Sequence, residues 1–255
     1  MARPKKALLF KAVSIRTILP NVVTLLAFMA GLTSIKFALA GKWELAVAAI
    51  LAAGVFDGLD GTVARLLKST SRFGAELDSL SDVVAFGVAP AVILYLFALQ
   101  GLDRLGWGVA LVYAIAMALR LARFNARLDD ETEPRKATGF LTGVPAPMGA
   151  GLLLMPMMAE FAFEGEFLQG YAFFIAAYAI FIALLMVSTL PTLSLKALRV
   201  PREWFIPALL IIAMLIAGLF AKIWMVVIGI GVAYLVSLPV TYVAFRRRAA
   251  RKNRA

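Results

Sequence analysis

Four aspartates fall within 26 residues: Asp57 and Asp60 are spaced three apart, Asp78 and Asp82 four apart. On a helix each spacing puts both carboxylates on one face. The short basic segment Arg65–Arg72 between the pairs lets two such faces oppose each other. Four oxygen ligands can then converge on one or two cations. With no His and no Cys in the chain, the cation must be a hard, oxygen-preferring one such as Mg²⁺, Mn²⁺ or Ca²⁺. A divalent ion also offsets the mutual repulsion of crowded carboxylates. Gly58, Gly61 and Gly74 would permit close helix approach and leave room for a ligand, and Arg65, one turn beyond Gly61, offers a fixed cation to a phosphate oxygen. Carboxylates, metal and an Arg in apolar surroundings suit phosphoryl or diphosphate chemistry on a lipid, where metal neutralises charge on the phosphates and the leaving group. A carboxylate not tightly bound to metal can act as general base toward an alcohol. Helix capping, or pairing with Arg65 and Arg72, accounts for one or two of these aspartates but hardly for four in this pattern.

The elements that carry them are membrane helices. The chain of 255 residues is 62% hydrophobic with a mean hydropathy of +0.90, whereas soluble domains are about half apolar. Its apolar runs repeatedly reach the roughly 20 residues needed to cross a bilayer. Eight spans are expected, near 17–40, 43–66, 74–99, 104–126, 145–163, 167–188, 204–220 and 222–245, which makes the fold an all-α polytopic bundle. Placing an aspartate near the middle of such a helix costs roughly 2.5 kcal/mol or more, so a functional reason is required. Residues 1–16 mix Lys and Arg with Leu and Phe, as an interfacial helix does; they lack a small-residue cleavage site and are expected to be retained.

The net charge is +11, which by itself could suggest nucleic acid. Eight spans, however, put the termini and the even-numbered connections on one side, and those segments hold 22 of the 26 Lys and Arg residues. This is the positive-inside pattern. It places both termini and the aspartate end of the bundle in the cytoplasm, at the cell membrane, and leaves no need for a nucleic-acid partner. The same cations suit anionic membrane lipids.

The pattern Asp57-x-x-Asp60-Gly61-x-x-Ala64-Arg65-x8-Gly74-x3-Asp78-x3-Asp82 matches the signature of the CDP-alcohol phosphotransferases position for position, and the chain resembles that family. The resemblance implies that Asp57, Asp60 and Asp78 ligate metal, Mg²⁺ or Mn²⁺ and two ions, with Asp82 contributing to the metal site and acting as base. Gly61, Ala64, Arg65 and Gly74, with Asp60 and Asp78, would surround the CDP-lipid. It also implies a homodimer and a six-helix core, here 17–188. Residues 189–245 would add a cytoplasmic loop and two further helices, and 246–255 a basic tail.

The flanking segments Leu19–Thr24, Arg120–Asn125, Phe140–Pro147 and Leu185–Ser188 resemble the branch of the family that uses serine, which implies CDP-diacylglycerol and L-serine as substrates, with phosphatidylserine and CMP as products. Asn21 is either a ligand-binding amide or a helix N-cap with Thr24 in the first turn. Arg120, Arg123 and Asn125 are candidates for holding the serine carboxylate or the lipid phosphate, positive-inside flanking being the alternative. Gly143–Pro147 is either a membrane re-entry beside the site or a rigid turn opening span five. Glycerol 3-phosphate or an inositol phosphate is the competing acceptor. A membrane prenyltransferase also gathers aspartates around Mg²⁺ but lacks the Gly-x-x-Ala-Arg-x8-Gly linkage. A cation transporter could line an ion path with carboxylates, yet here all the intramembrane acids lie in one hairpin, with no second copy in spans five to eight.

Overall fold

The apolar runs become helices, several of which end where glycine or charge interrupts them. The computed structural model describes residues 15–67, 69, 71–126, 140–165, 168, 170–193 and 202–252. Helix α1 spans Ile15–Leu39 and turns at Gly41 (φ +70°) into α2, Trp43–Leu66. At about 1.5 Å per residue, 25 residues reach roughly 37 Å, enough for a hydrocarbon core of about 30 Å. After the basic turn, α3 (Arg72–Asp82) opens a long rod: a π-helical stretch Val83–Val88, α4 (Ala89–Leu94), a second π-helical stretch Tyr95–Leu99 and a 3₁₀ turn Gln100–Leu102. Asp103 (φ 48°) reverses the chain into α5, Asp103–Ala126. The arms close tightly there, since a Cβ on Gly106 would fall 2.0 Å from the Leu99 carbonyl oxygen. Beyond come α6 (Ala146–Phe163), α7 (Ala172–Val187), α8 (Phe205–Ala221) and α9 (Ile223–Lys252).

Five helical stretches are long and apolar enough to cross a membrane; one is the 55-residue stretch Arg72–Ala126 that folds back at Asp103, and α7 and α8 are two shorter apolar helices. The described residues therefore form eight arms, and the protein is a multi-pass membrane helix bundle. The core is packed between α2, the α3–α4 rod, α5, α6 and α7, around Phe86, Tyr113, Met117, Leu153 and Met157. Helix α8 has no buried residue and packs on α9. At the end opposite the acid-bearing turn, Trp43, Phe97, Phe161 and Trp224 form a chain of ring contacts (5.2, 6.4 and 5.2 Å) that ties α9 to the core.

Pro20, Pro90, Pro156 and Pro239 lie inside the rods, and such a proline leaves the carbonyl four residues earlier without its usual intrahelical donor. Pro90 removes the donor for Phe86, and the Tyr113 hydroxyl of α5 donates to that carbonyl at 3.1 Å. Pro156 does the same to Leu152, and the Tyr178 hydroxyl of α7 supplies the bond at 2.7 Å. Each tyrosine thus repairs its neighbour's backbone and fixes the register between two helices.

One feature departs from the helical reading. Phe140–Thr142 (β1) and Pro191–Leu193 (β2) form a short antiparallel ribbon with Leu141 opposite Thr192. Gly143, at φ +76°, turns the chain out of β1, and its N–H donates to the Leu190 carbonyl at 2.8 Å. Pro145 then caps α6, with Pro147 in its first turn. Of the two readings of Gly143–Pro147, the rigid turn is the one observed. The expected interfacial segment lies outside the described residues apart from 15–16, which already belong to α1, and α9 continues helically through 246–252.

Candidate active site

The acid-bearing ends of α2 and α3 meet as the spacing requires. Asp57, Asp60 and Asp78 each present one oxygen, and all three oxygens lie within 4.8 Å of one another. Ligands held at about 2.0–2.6 Å from a single hard cation lie no farther apart than about twice that distance, so this set of anionic oxygens fits a divalent ion. Asp82 lies one turn deeper, and its carboxyl meets that of Asp57 side chain to side chain. The Arg120 guanidinium, from α5, lies within direct electrostatic reach of Asp57 and Asp82. Immediately after Asp82 the rod changes from α to π winding, a change found often at functional sites.

Helix α1 braces both acid helices. The Thr24 hydroxyl donates to Asp60 Oδ2 at 2.6 Å, and the Thr24 carbonyl accepts from Ser81 Oγ of α3 at 3.2 Å. Both Thr24 and Asp60 are buried, 4% and 6% exposed. Ser71 caps α3, its hydroxyl accepting from the Gly74 N–H at 3.0 Å.

Beside the carboxylates is an open cleft of about 150 Å³, lined by Pro20, Asn21, Thr24, Asp60, Gly61, Ala64, Ser69, Ser71, Gly74, Ala75 and Asp78. Asn21, Gly61, Ala64 and Gly74 are thus brought together with two of the aspartates. Asn21 lies inside α1, so it is not an N-cap. A Cβ on Gly74 would come 2.9 Å from Asn21 Oδ1, so this glycine does permit close approach. Gly58 and Gly61 do not: nothing lies within 4 Å of a Cβ at either position. What Gly61 supplies is open space in the cleft. Arg65 is not among the lining residues; its side chain is exposed and folds back on α2, Nε donating to the Gly61 carbonyl at 2.8 Å.

The three candidates on α5 are all engaged. Arg120 donates from Nε to the Val144 carbonyl. Arg123 donates to the Val187 and Ser188 carbonyls at 2.6 and 3.0 Å, and Asn125 donates to Ser79 Oγ at 2.9 Å. They bind α5 to the turn before α6, to the end of α7 and to α3. Thr24, Ser69, Ser71 and Ser81 are site residues that the motif does not mark. Thr24 carried a signal, lying one turn beyond Asn21 on a helix whose start abuts the acids, but short hydroxyl side chains are too common in membrane helices to be singled out by type.

A membrane bundle with three carboxylates converging beside a cleft suits divalent-metal chemistry on a lipid, and the family model described as CDP-alcohol phosphatidyltransferase matches residues 17–188. The chain belongs to this family. Its relatives include the CDP-diacylglycerol–serine O-phosphatidyltransferase of Mycobacterium tuberculosis (strain ATCC 25618 / H37Rv), 42% identical over 87% of this chain and 77% of that protein. The protein of the same name from Helicobacter pylori (strain ATCC 700392 / 26695) is 33% identical over 76% of this chain and 80% of its own length. That from Bacillus subtilis (strain 168) is 38% identical over 54% and 73%.

Proposed function

We propose that this protein transfers the phosphatidyl group of CDP-diacylglycerol to the hydroxyl of L-serine, giving phosphatidylserine and CMP. The observation that carries the reading is the convergence of Asp57, Asp60 and Asp78 within 4.8 Å beside the cleft, in a chain whose relatives bear that enzyme's name. Asp57, Asp60 and Asp78 are the residues that would hold Mg²⁺ or Mn²⁺, with Asp82 completing a two-ion site. When bound, such ions neutralise diphosphate charge and stabilise the leaving phosphate.

The protein's own groups do the rest. Asn21, Gly61, Ala64 and Gly74 receive the CDP portion, Gly61 by leaving space. Arg65 would have to swing from the Gly61 carbonyl to meet a phosphate oxygen. Asp82 takes the proton of the serine hydroxyl as that oxygen forms a bond to the lipid-side phosphorus. The bond from this phosphorus to the bridging oxygen breaks, and CMP leaves with the electron pair. Arg120, within electrostatic reach of Asp82, is the cation of choice for the serine carboxylate or the lipid phosphate. Arg123 and Asn125 hold the surrounding helices.

The aspartate end of the bundle is the end that carries the Lys- and Arg-rich connections in sequence, which supports a cytoplasmic-facing site in the cell membrane. A homodimer is expected from the resemblance, and native mass measurement tests it. The test of function is CMP release from CDP-diacylglycerol by the purified protein with Mn²⁺ or Mg²⁺, comparing serine, glycerol 3-phosphate and inositol phosphate. Serine-dependent release with a serine-labelled lipid is expected. Release with another acceptor would retain the aspartate chemistry and discard serine. No release with any acceptor would point to ion passage.

A further inference from the structure

We propose that Thr24 is the positioning residue that presets the aspartate cluster for its cation; the proposal rests on the reading of Asp57, Asp60 and Asp78 as a metal centre. The Thr24 side chain and backbone act on different helices. The hydroxyl donates to Asp60 Oδ2 at 2.6 Å, and the carbonyl receives the Ser81 hydroxyl at 3.2 Å. The first bond ties down one Asp60 oxygen and with it the orientation of the carboxylate that meets Asp57 and Asp78. The second fixes α3, the helix of Asp78 and Asp82, against the same residue of α1. One buried residue therefore orients one proposed ligand and sets the gap between the two ligand-bearing helices. The hydroxyl also lies 3.2 Å from the Pro20 carbonyl, the partner available to it when not bonded to Asp60. Groups that hydrogen-bond a metal's carboxylate ligands typically change metal affinity by about 10–100-fold when removed.

The test is direct Mn²⁺ binding to the full chain in detergent or nanodiscs, read by loss of the free-ion electron paramagnetic resonance signal, without turnover. Thr24→Val keeps the shape and removes the donor, Thr24→Ala removes it with a better helix former, and Thr24→Ser keeps it. Ser34→Ala is the matched control, because Ser34 is a buried hydroxyl of the same helix whose partner among the described residues is the Gly31 carbonyl at 2.6 Å. Thr24→Val and Thr24→Ala should bind Mn²⁺ about 10–100-fold more weakly, while Thr24→Ser and Ser34→Ala stay within about threefold of the unaltered protein. An unchanged affinity in either hydroxyl-less variant that folds, or an equal loss in Ser34→Ala, overturns the proposal. Asp60→Asn separates the two readings: if the unaltered protein binds Mn²⁺ no better than Asp60→Asn, the metal centre itself is wrong and the role of Thr24 goes with it.

Discussion

Asn125 donates from Nδ2 to the Ser79 hydroxyl at 2.9 Å, and Ser79 in turn donates to the Ala75 carbonyl at 3.0 Å. The end of α5 is thereby fastened to α3 between Asp78 and Asp82. Asn125, which sequence alone offers as a ligand for the serine carboxylate or the lipid phosphate, is bonded in this structure as a strut for the acid-bearing helix. Asn125→Ala should lower kcat by about tenfold or more, a misplacement of about 1 Å costing up to about 10²-fold. The KM for serine should hardly move. A large rise in that KM with kcat intact would return Asn125 to the serine site.

Asp82 is separated from the other aspartates in role. Asp82→Asn preserves shape but removes the base, so turnover should fall by about 10²–10⁴-fold while CDP-lipid binding, measured by ligand-induced thermal stabilisation with Mn²⁺, persists. Asn at 57, 60 or 78 should lose metal binding and lipid stabilisation together, as should treatment of the unaltered protein with a chelator. Loss of lipid binding in Asp82→Asn as well would make Asp82 mainly a metal ligand.

The two cleft glycines should respond differently to a methyl group. Gly61→Ala meets no protein atom within 4 Å and gains up to about 1 kcal/mol of helix propensity. Its thermal midpoint should hold or rise while the KM for CDP-diacylglycerol increases. Gly74→Ala places its Cβ 2.9 Å from Asn21 Oδ1 and 3.1 Å from Ser71 Oγ, so α1 or the α3 cap must shift and stability should fall too. Kinetics beside thermal unfolding for both variants check this; unchanged lipid KM in Gly61→Ala would show that the open space is not used by substrate.

Tyr178→Phe removes the donor to the Leu152 carbonyl that Pro156 leaves unserved. A buried carbonyl without a partner costs about 1–3 kcal/mol, so the thermal midpoint should drop with kcat little altered. Replacing Pro156 with Ala in the same protein restores the intrahelical donor and should recover most of the loss. Failure of this second change to rescue would mean that Tyr178 matters through packing instead.

Gly106→Ala should be among the most damaging changes far from the site, because its Cβ would lie 2.0 Å from the Leu99 carbonyl oxygen. The reversal at Asp103 cannot then close, and the yield of folded protein after detergent extraction should collapse. Substitution at Gly108, where nothing lies within 4 Å, provides the tolerant comparison.

Much of this molecule is written in one dimension. The helices follow from runs of apolar residues, because a backbone in hydrocarbon must satisfy its hydrogen bonds within the segment. The short connection between α2 and α3 keeps their acid-bearing ends close, and helical period puts Asp57 and Asp60 on one face toward Asp78, with α1 packed against both helices. The absence of His and Cys fixed the kind of cation these oxygens could serve. What remained illegible depends on partners distant in sequence. Thr24 reaches Asp60 across 36 positions and Ser81 reaches Thr24 across 57. Tyr113 and Tyr178 complete carbonyls that prolines of other helices expose, and β1 finds β2 across two helices. A local pattern states which groups need a partner. Only the packing of helix against helix decides which side chain arrives to supply it.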